Sequence, residues 1–240
     1  LSDWNATTNL PQNLKNHQVT TWHNYVYLLG GYNGSSEVNT VYRATQEATG
    51  ISGWTTLNAL PVALKDMAVV ATQTHLYVIG GRNSEGVSDK IYSAQLSDNG
   101  NISSWETLDL TLPQPVWGCR AVFVMGKDYL IGGANVDDVN AVSNKVYRLT
   151  VNASGEIASI NEMANLPAAR SGHAVAVYDS KIIVTGGYDA SHTAQNTVYE
   201  ASVNLNGTRA NWQMQTSLVE PVFDHSAVYT NGVLVLIGGH

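Results

Sequence analysis

The sequence predicts an all-β fold assembled from about five copies of one unit, and three observations carry that prediction. Gly-Gly pairs close apolar runs at Gly30-Gly31, Gly80-Gly81, Gly132-Gly133, Gly186-Gly187 and Gly238-Gly239, at intervals of 50, 52, 54 and 52 residues. Other positions keep step with the pairs: Tyr42, Tyr92, Tyr147 and Tyr199, then Trp54, Trp105 and Trp212, then in most units a Leu-Pro step. Val, Ile, Thr, Tyr and Trp fill the units while Gly and Asn gather between them, and no helical period competes.

Each element of the unit can be justified in order. The runs "YVYLLGG", "HLYVIGG", "DYLIGG", "KIIVTGG" and "VLVLIGG" read as apolar strands that stop at two glycines. Glycine tolerates positive φ and leaves room for a neighbouring backbone, which suits a tight exit from a crowded strand. The segments "NTVYRATQ", "DKIYSAQL", "NKVYRLTV" and "NTVYEASV" supply the next strand. The Trp before Leu-Pro marks a further one, with Ile160 in that place once. Tyr and Trp bury large areas while keeping one polar tip, so they are expected between units, and the junction holding Ile160 is expected to be the least well filled.

The tandem pattern resembles the kelch repeat, whose double glycine, spaced Tyr and Trp and length near 50 residues mark one four-stranded blade of a β-propeller. The resemblance covers nearly all 240 residues as a single domain. The G-x-I-x-x-W form before Leu-Pro is similar to kelch repeats of bacterial secreted or surface proteins. A kelch-type β-propeller of about five four-stranded blades is therefore expected. In that frame the chain starts on an outer strand near Trp4 and ends on the strand before Gly238-Gly239. The last blade is then a composite of N- and C-terminal strands and lacks one strand, which a C-terminal segment beyond His240 or a strand-donating partner would supply. His17, Met67, Cys119, His173 and His225 share one slot at the start of the innermost strands and are expected to pack there.

Composition narrows the function. The net charge is −7 with only 12 scattered Lys and Arg, so the clustered cations that displace counterions from nucleic acid are missing, and no nucleic-acid partner is expected. No apolar run approaches the length of a membrane span, so no membrane insertion is expected. One cysteine, Cys119, forms no intrachain disulfide and no cysteine-rich metal site. Nucleophile elbows, zinc motifs, phosphate loops and calcium loops are absent from the sequence, so no catalytic residue, metal or cofactor is assigned. Five N-x-S/T sequons, at Asn5, Asn33, Asn101, Asn152 and Asn206, are candidate glycosylation sites and agree with an extracellular or cell-surface location.

The resemblance also implies a binding face. Loops after Gly-Gly and loops after Leu-Pro share one end of a propeller, which displays Tyr32, Arg82, Tyr188 and His240 with Trp117 and Arg170. These residue types anchor protein interfaces and suit sugar rings. A non-catalytic binding or scaffold module recognising protein or glycan is the expected function. Two alternatives remain: a propeller enzyme acting on carbohydrate, of sugar mutarotase or lyase type, with Arg170 and His173 as its one nearby pair, and a structural subunit assembled by strand donation.

Overall fold

The computed structural model describes residues 6–136, 138, 141–204 and 211–240. Trp4, Asn5 and Asn206 lie outside them. No helix occurs among the described residues. The first sheet holds β1 (Gln18–Trp22), β2 (Tyr25–Leu29) and β3 (Val41–Glu47), with β4 (Gly50–Ile51) and β5 (Thr55–Thr56) both paired to β3. The second holds β6 (Ala68–Ala71), β7 (His75–Ile79), β10 (Ile91–Gln95) and β11 (Glu106–Thr107), and a small hairpin of β8 (Arg82–Asn83) and β9 (Gly86–Val87) rises from its middle loop. The third runs β12 (Arg120–Val124), β13 (Lys127–Ile131), β14 (Val146–Val151) and β15 (Ile157–Glu162). The fourth runs β16 (Ala174–Tyr178), β17 (Lys181–Thr185), β18 (Val198–Ser202) and β19 (Gln213–Met214), and β20 (Ser226–Thr230) with β21 (Val233–Ile237) forms a last hairpin. Every pairing is antiparallel, as short connections between consecutive strands require.

The sheets are blades of a propeller. Their innermost strands neighbour one another in the order β1, β6, β12, β16, β20. All five line one axial channel, through Gln18, Val69, Arg120, Ala174 and Ser226 among others. Because strand side chains alternate between faces, each blade feeds two cores. Leu76 and Val78 of β7 enter the core shared with the first blade, while Tyr77 and Ile79 enter the core shared with the third. A third core joins the third and fourth blades around Tyr129, Ile131, Ile182 and Val184. Trp212 is buried there, and half-buried Trp105 caps the first core while its Nε1 donates to Asn58 O at 2.9 Å. Ile160 lies opposite Leu149 and completes the second core in place of a Trp.

The Gly-Gly pairs are the sockets of this assembly. A Cβ on Gly132 would lie 2.6 Å from Cε1 of His173 and 2.8 Å from Arg170 O, both in the next unit. A Cβ on Gly133 would lie 3.0 Å from Cβ of Cys119, in its own unit. The pattern repeats, with Met67 against Gly30 and His225 against Gly186. The second glycine of each pair also ties the blades together, since Gly31, Gly81, Gly133 and Gly187 donate to Leu64, Val116, Arg170 and Val222. The shared slot is a packing position in four units, where Met67, Cys119 and His173 are fully buried and His225 nearly so, while His17 is half-buried and lines the channel mouth.

At the last hairpin the contacts of Gly239 with its own unit persist, but those of the pair with a following unit stop. Gly238 has nothing within 4 Å of a built Cβ, and β21 has no second partner strand among the described residues. At the other end, Thr8 Oγ1 donates to Ile51 O at 3.1 Å, repeating the contact that Asn58 Nδ2 makes with Ile102 O at 3.4 Å. Residues 7–8 thus lie against the first blade as the exit of the first blade lies against the second.

Candidate functional site

One end of the channel is framed by main-chain atoms. The residue after each Gly-Gly pairs with a residue entering the inner strand of its own blade: Lys15 with Tyr32, Lys65 with Arg82, Trp117 with Ala134, Ser171 with Tyr188, and Phe223 with His240. Each couple exchanges both backbone hydrogen bonds, at 2.8 to 3.2 Å. The next residue, Asn16, Asp66, Gly118, Gly172 or Asp224, is left-handed with φ between 54° and 64°. Asn, Asp and Gly are the residues that adopt this conformation most readily, which explains that column of the repeat. Asp66 N donates to Asn16 O, Gly118 N to Asp66 O, and Asp224 N to Gly172 O, so the turns also link blade to blade around the mouth.

Inside this frame lies a cavity of about 620 Å³. Arg82, Trp117, Tyr188 and His240 line it together, and Tyr32 lines an adjoining depression with Lys15, Lys65 and Arg82. Five of the six residues expected on this face are therefore brought together. On one side the rim is charged. Arg82 Nε donates to Asp66 Oδ2 at 2.8 Å while its guanidinium stacks 3.6 Å over the ring of Trp117, and Trp117 Nε1 donates to Val136 O. Lys65 pairs with Glu37 at 2.7 Å, and both Lys15 and Lys65 lie over the ring of Tyr32. On the other side it is aromatic, with Tyr188, His192, Phe223 and His240 in contact.

Three of the six correct the expectation of display: Trp117 and Tyr188 line the cavity from within the wall, only 5% and 4% exposed, and Arg170 departs furthest. Its loop faces the mouth, yet the side chain turns inward and is 1% exposed. There it donates to Gly186 O, Thr197 Oγ1 and Tyr199 Oη and lies over the Tyr199 ring. Several hydrogen bonds to its planar fork repay the removal of its charge from water. His173 is fully buried as well, and burial, then the charges of Arg120 and Arg170, holds its imidazole well below the usual value. The pair offered for a carbohydrate enzyme is thus wall, with no access to the channel.

Other slot residues are equally inert. Burial pushes the Cys119 thiol up to about 12, and burial with the Arg120 charge lowers His225 to about 4 while its Nε2 contacts Thr185 Oγ1 at 2.8 Å. Among the described residues no group of His, Cys, Asp and Glu is placed to hold a metal ion. Of the sequons, Asn33, Asn101 and Asn152 are exposed in loops. Asn33 and Asn152 each accept two backbone N–H bonds, and Asn101 Oδ1 accepts from Arg43. Sequence reasoning missed Asp66, His192, Phe223, Asp224 and Arg120. The first and fourth were signalled by the Asn/Asp/Gly column, and the others vary from unit to unit and carry no signal.

Comparison with known proteins follows the same lines. The model of the Attractin/LZTR1 beta-propeller family matches residues 26–240. Beta-scruin of Limulus polyphemus is 26% identical over 125 residues, which is 50% of this chain and 13% of that protein, so the chain spans a small part of that relative. The solved structure of YjhT superposes with a TM-score of 0.79 at 19% identity, over 95% of this chain and 73% of the other, a likeness of fold.

Proposed function

This chain belongs to the Attractin/LZTR1 family of kelch-type β-propellers, and on that premise we propose that it is a non-catalytic binding module that takes a protein partner at the mouth of its channel. The observation that carries this reading is the preassembled mouth, where Arg82 and His240 line one opening with the largely buried rings of Trp117 and Tyr188, and Tyr32 lines the adjoining depression, all on a fixed backbone frame. Binding loses least entropy when its anchors are already held, and the Asp66–Arg82–Trp117 stack is held before any partner arrives. The burial of Arg170 and His173 supports binding over catalysis. Exposure of Asn33, Asn101 and Asn152 supports an extracellular setting.

A random peptide display library and a glycan array, each probed with the wild-type chain and with a Tyr32→Ala/Arg82→Ala variant, test the reading. Selected peptides are expected to lose at least about tenfold in affinity, the cost of roughly one hot-spot residue. Thermal unfolding of the variant is followed in parallel. Peptides indifferent to both substitutions would remove the mouth as the site, and glycans alone would replace a protein partner with a carbohydrate.

A further inference from the structure

A smaller compartment of the channel, the throat, adjoins the mouth cavity, and one cation lines both. Arg120 opens β12 and lines both the mouth cavity and this compartment of about 190 Å³, together with Gln18, Val19, His225 and Ser226. At the same position of the other units stand Gln18, Ala68, Ala174 and Ser226, all neutral and smaller. The side chain makes one hydrogen bond to protein, from Nη1 to Cys119 O at 3.2 Å, and no carboxylate among the described residues lies within ion-pair distance. The other two arginines of this end of the ring differ, since Arg82 is paired with Asp66 and both terminal nitrogens of Arg170 donate to groups inside the wall. A guanidinium carries five donors in a fork matched to a carboxylate, so most of this one's capacity faces the channel. Of the imidazoles lining the cavity, those of His17 and His225 are held below their usual value by burial. Asp224 of the rim lies within electrostatic reach of Arg120 without pairing to it, and is placed to accept from a donor group on whatever enters.

We propose that the throat is a carboxylate-binding site, in which Arg120 receives an acidic side chain of the partner while Asp224 accepts an N–H from the partner's backbone. This rests on the reading of the mouth as a protein-binding face and names the chemistry of the group it admits. Small neutral neighbours, Ala121, Ala174 and Ala227, leave room for a side-chain stem beside the guanidinium.

The probes are N-acetylglutamate methylamide, its glutamine counterpart, and glucuronate, each titrated into the labelled full chain while the Arg120 Nε–H resonance is followed. The glutamate probe is expected to shift that resonance saturably and the glutamine probe to leave it in place. Binding of the glutamate probe, read in the variants from rim resonances, is expected to weaken at least about tenfold in Arg120→Gln, as loss of a charge-assisted contact predicts, and to be partly retained in Arg120→Lys. Equal response to glutamate and glutamine probes, or unchanged binding in Arg120→Gln, would overturn the site. Response to glucuronate alone would overturn the acidic side chain as its occupant. If peptides depend on Tyr32 and Arg82 but not on Arg120, only the throat assignment fails. If the glutamate probe binds at Arg120 while no peptide is selected, only the protein-binding reading fails.

Discussion

Replacing Asp128 with Leu should stabilise the propeller in a manner that depends on pH. Asp128 lies on β13, opposite Phe123 and Leu149, where the other units place Val26, Leu76, Ile182 and Leu234. Its side chain is fully buried and neither carboxylate oxygen has a hydrogen-bond partner. Burial alone raises its pKa from 3.8 to about 7. An unfolded chain releases this proton near 3.8, whereas the folded chain holds it until about 7. Between those values the folded state binds more protons, so its stability falls as pH rises and levels off above about 7. A gap of about three units corresponds to roughly 4 kcal/mol. Urea unfolding of wild type and Asp128→Leu at pH 4, 5.5, 7 and 8.5 separates this group from every other titration, because only the difference between the two curves counts. The difference should widen by about 4 kcal/mol from pH 4 to pH 8.5. Parallel curves would refute the reasoning and show that water or a structural adjustment relieves the buried charge.

Two further outcomes follow from the same coordinates. Gly132→Ala and Gly238→Ala both place a side chain at positive φ, at a cost of about 1–2 kcal/mol each, but only Gly132→Ala also collides with His173 and Arg170. Its unfolding free energy in denaturant titration should fall further, by about 1–3 kcal/mol of overpacking; equal losses would show that the first glycine is no socket. Expression through a eukaryotic secretory pathway should add glycosidase-sensitive mass at Asn33 and Asn101, and less at Asn152, whose amide nitrogen, the atom that would carry the glycan, donates to Glu156. Equal occupancy at all three would show that this contact does not protect the site.

Much of the architecture was legible because the repeat multiplies weak signals. One Gly-Gly says little, and five in register with Tyr and Trp define a blade. The reason for the glycines was only half visible: close backbone approach was foreseen, but the fit of Met67, His173 and His225 against the preceding unit needed coordinates. Face and direction also came apart. The position of Arg170 in its loop placed its backbone near the mouth, yet its side chain turned to Gly186 O and Tyr199, because the later strands of its own blade offered partners that sequence spacing does not reveal. Arg120 escaped notice for the opposite reason. Its column reads Gln, Ala, Arg, Ala, Ser, and a residue that departs from a variable column looks like ordinary variation until the five strands converge on one axis.

The ten backbone bonds around the mouth have a wider consequence. Main-chain groups are common to nearly every residue, so substitution at Lys15, Tyr32, Trp117 or His240 rewrites what the opening offers while leaving its outline in place. Shape is thereby inherited separately from taste. Descendants of one such ring can keep their curvature and spacing through deep divergence and still greet unrelated partners, each written into a handful of interchangeable positions on a frame that does not notice the change.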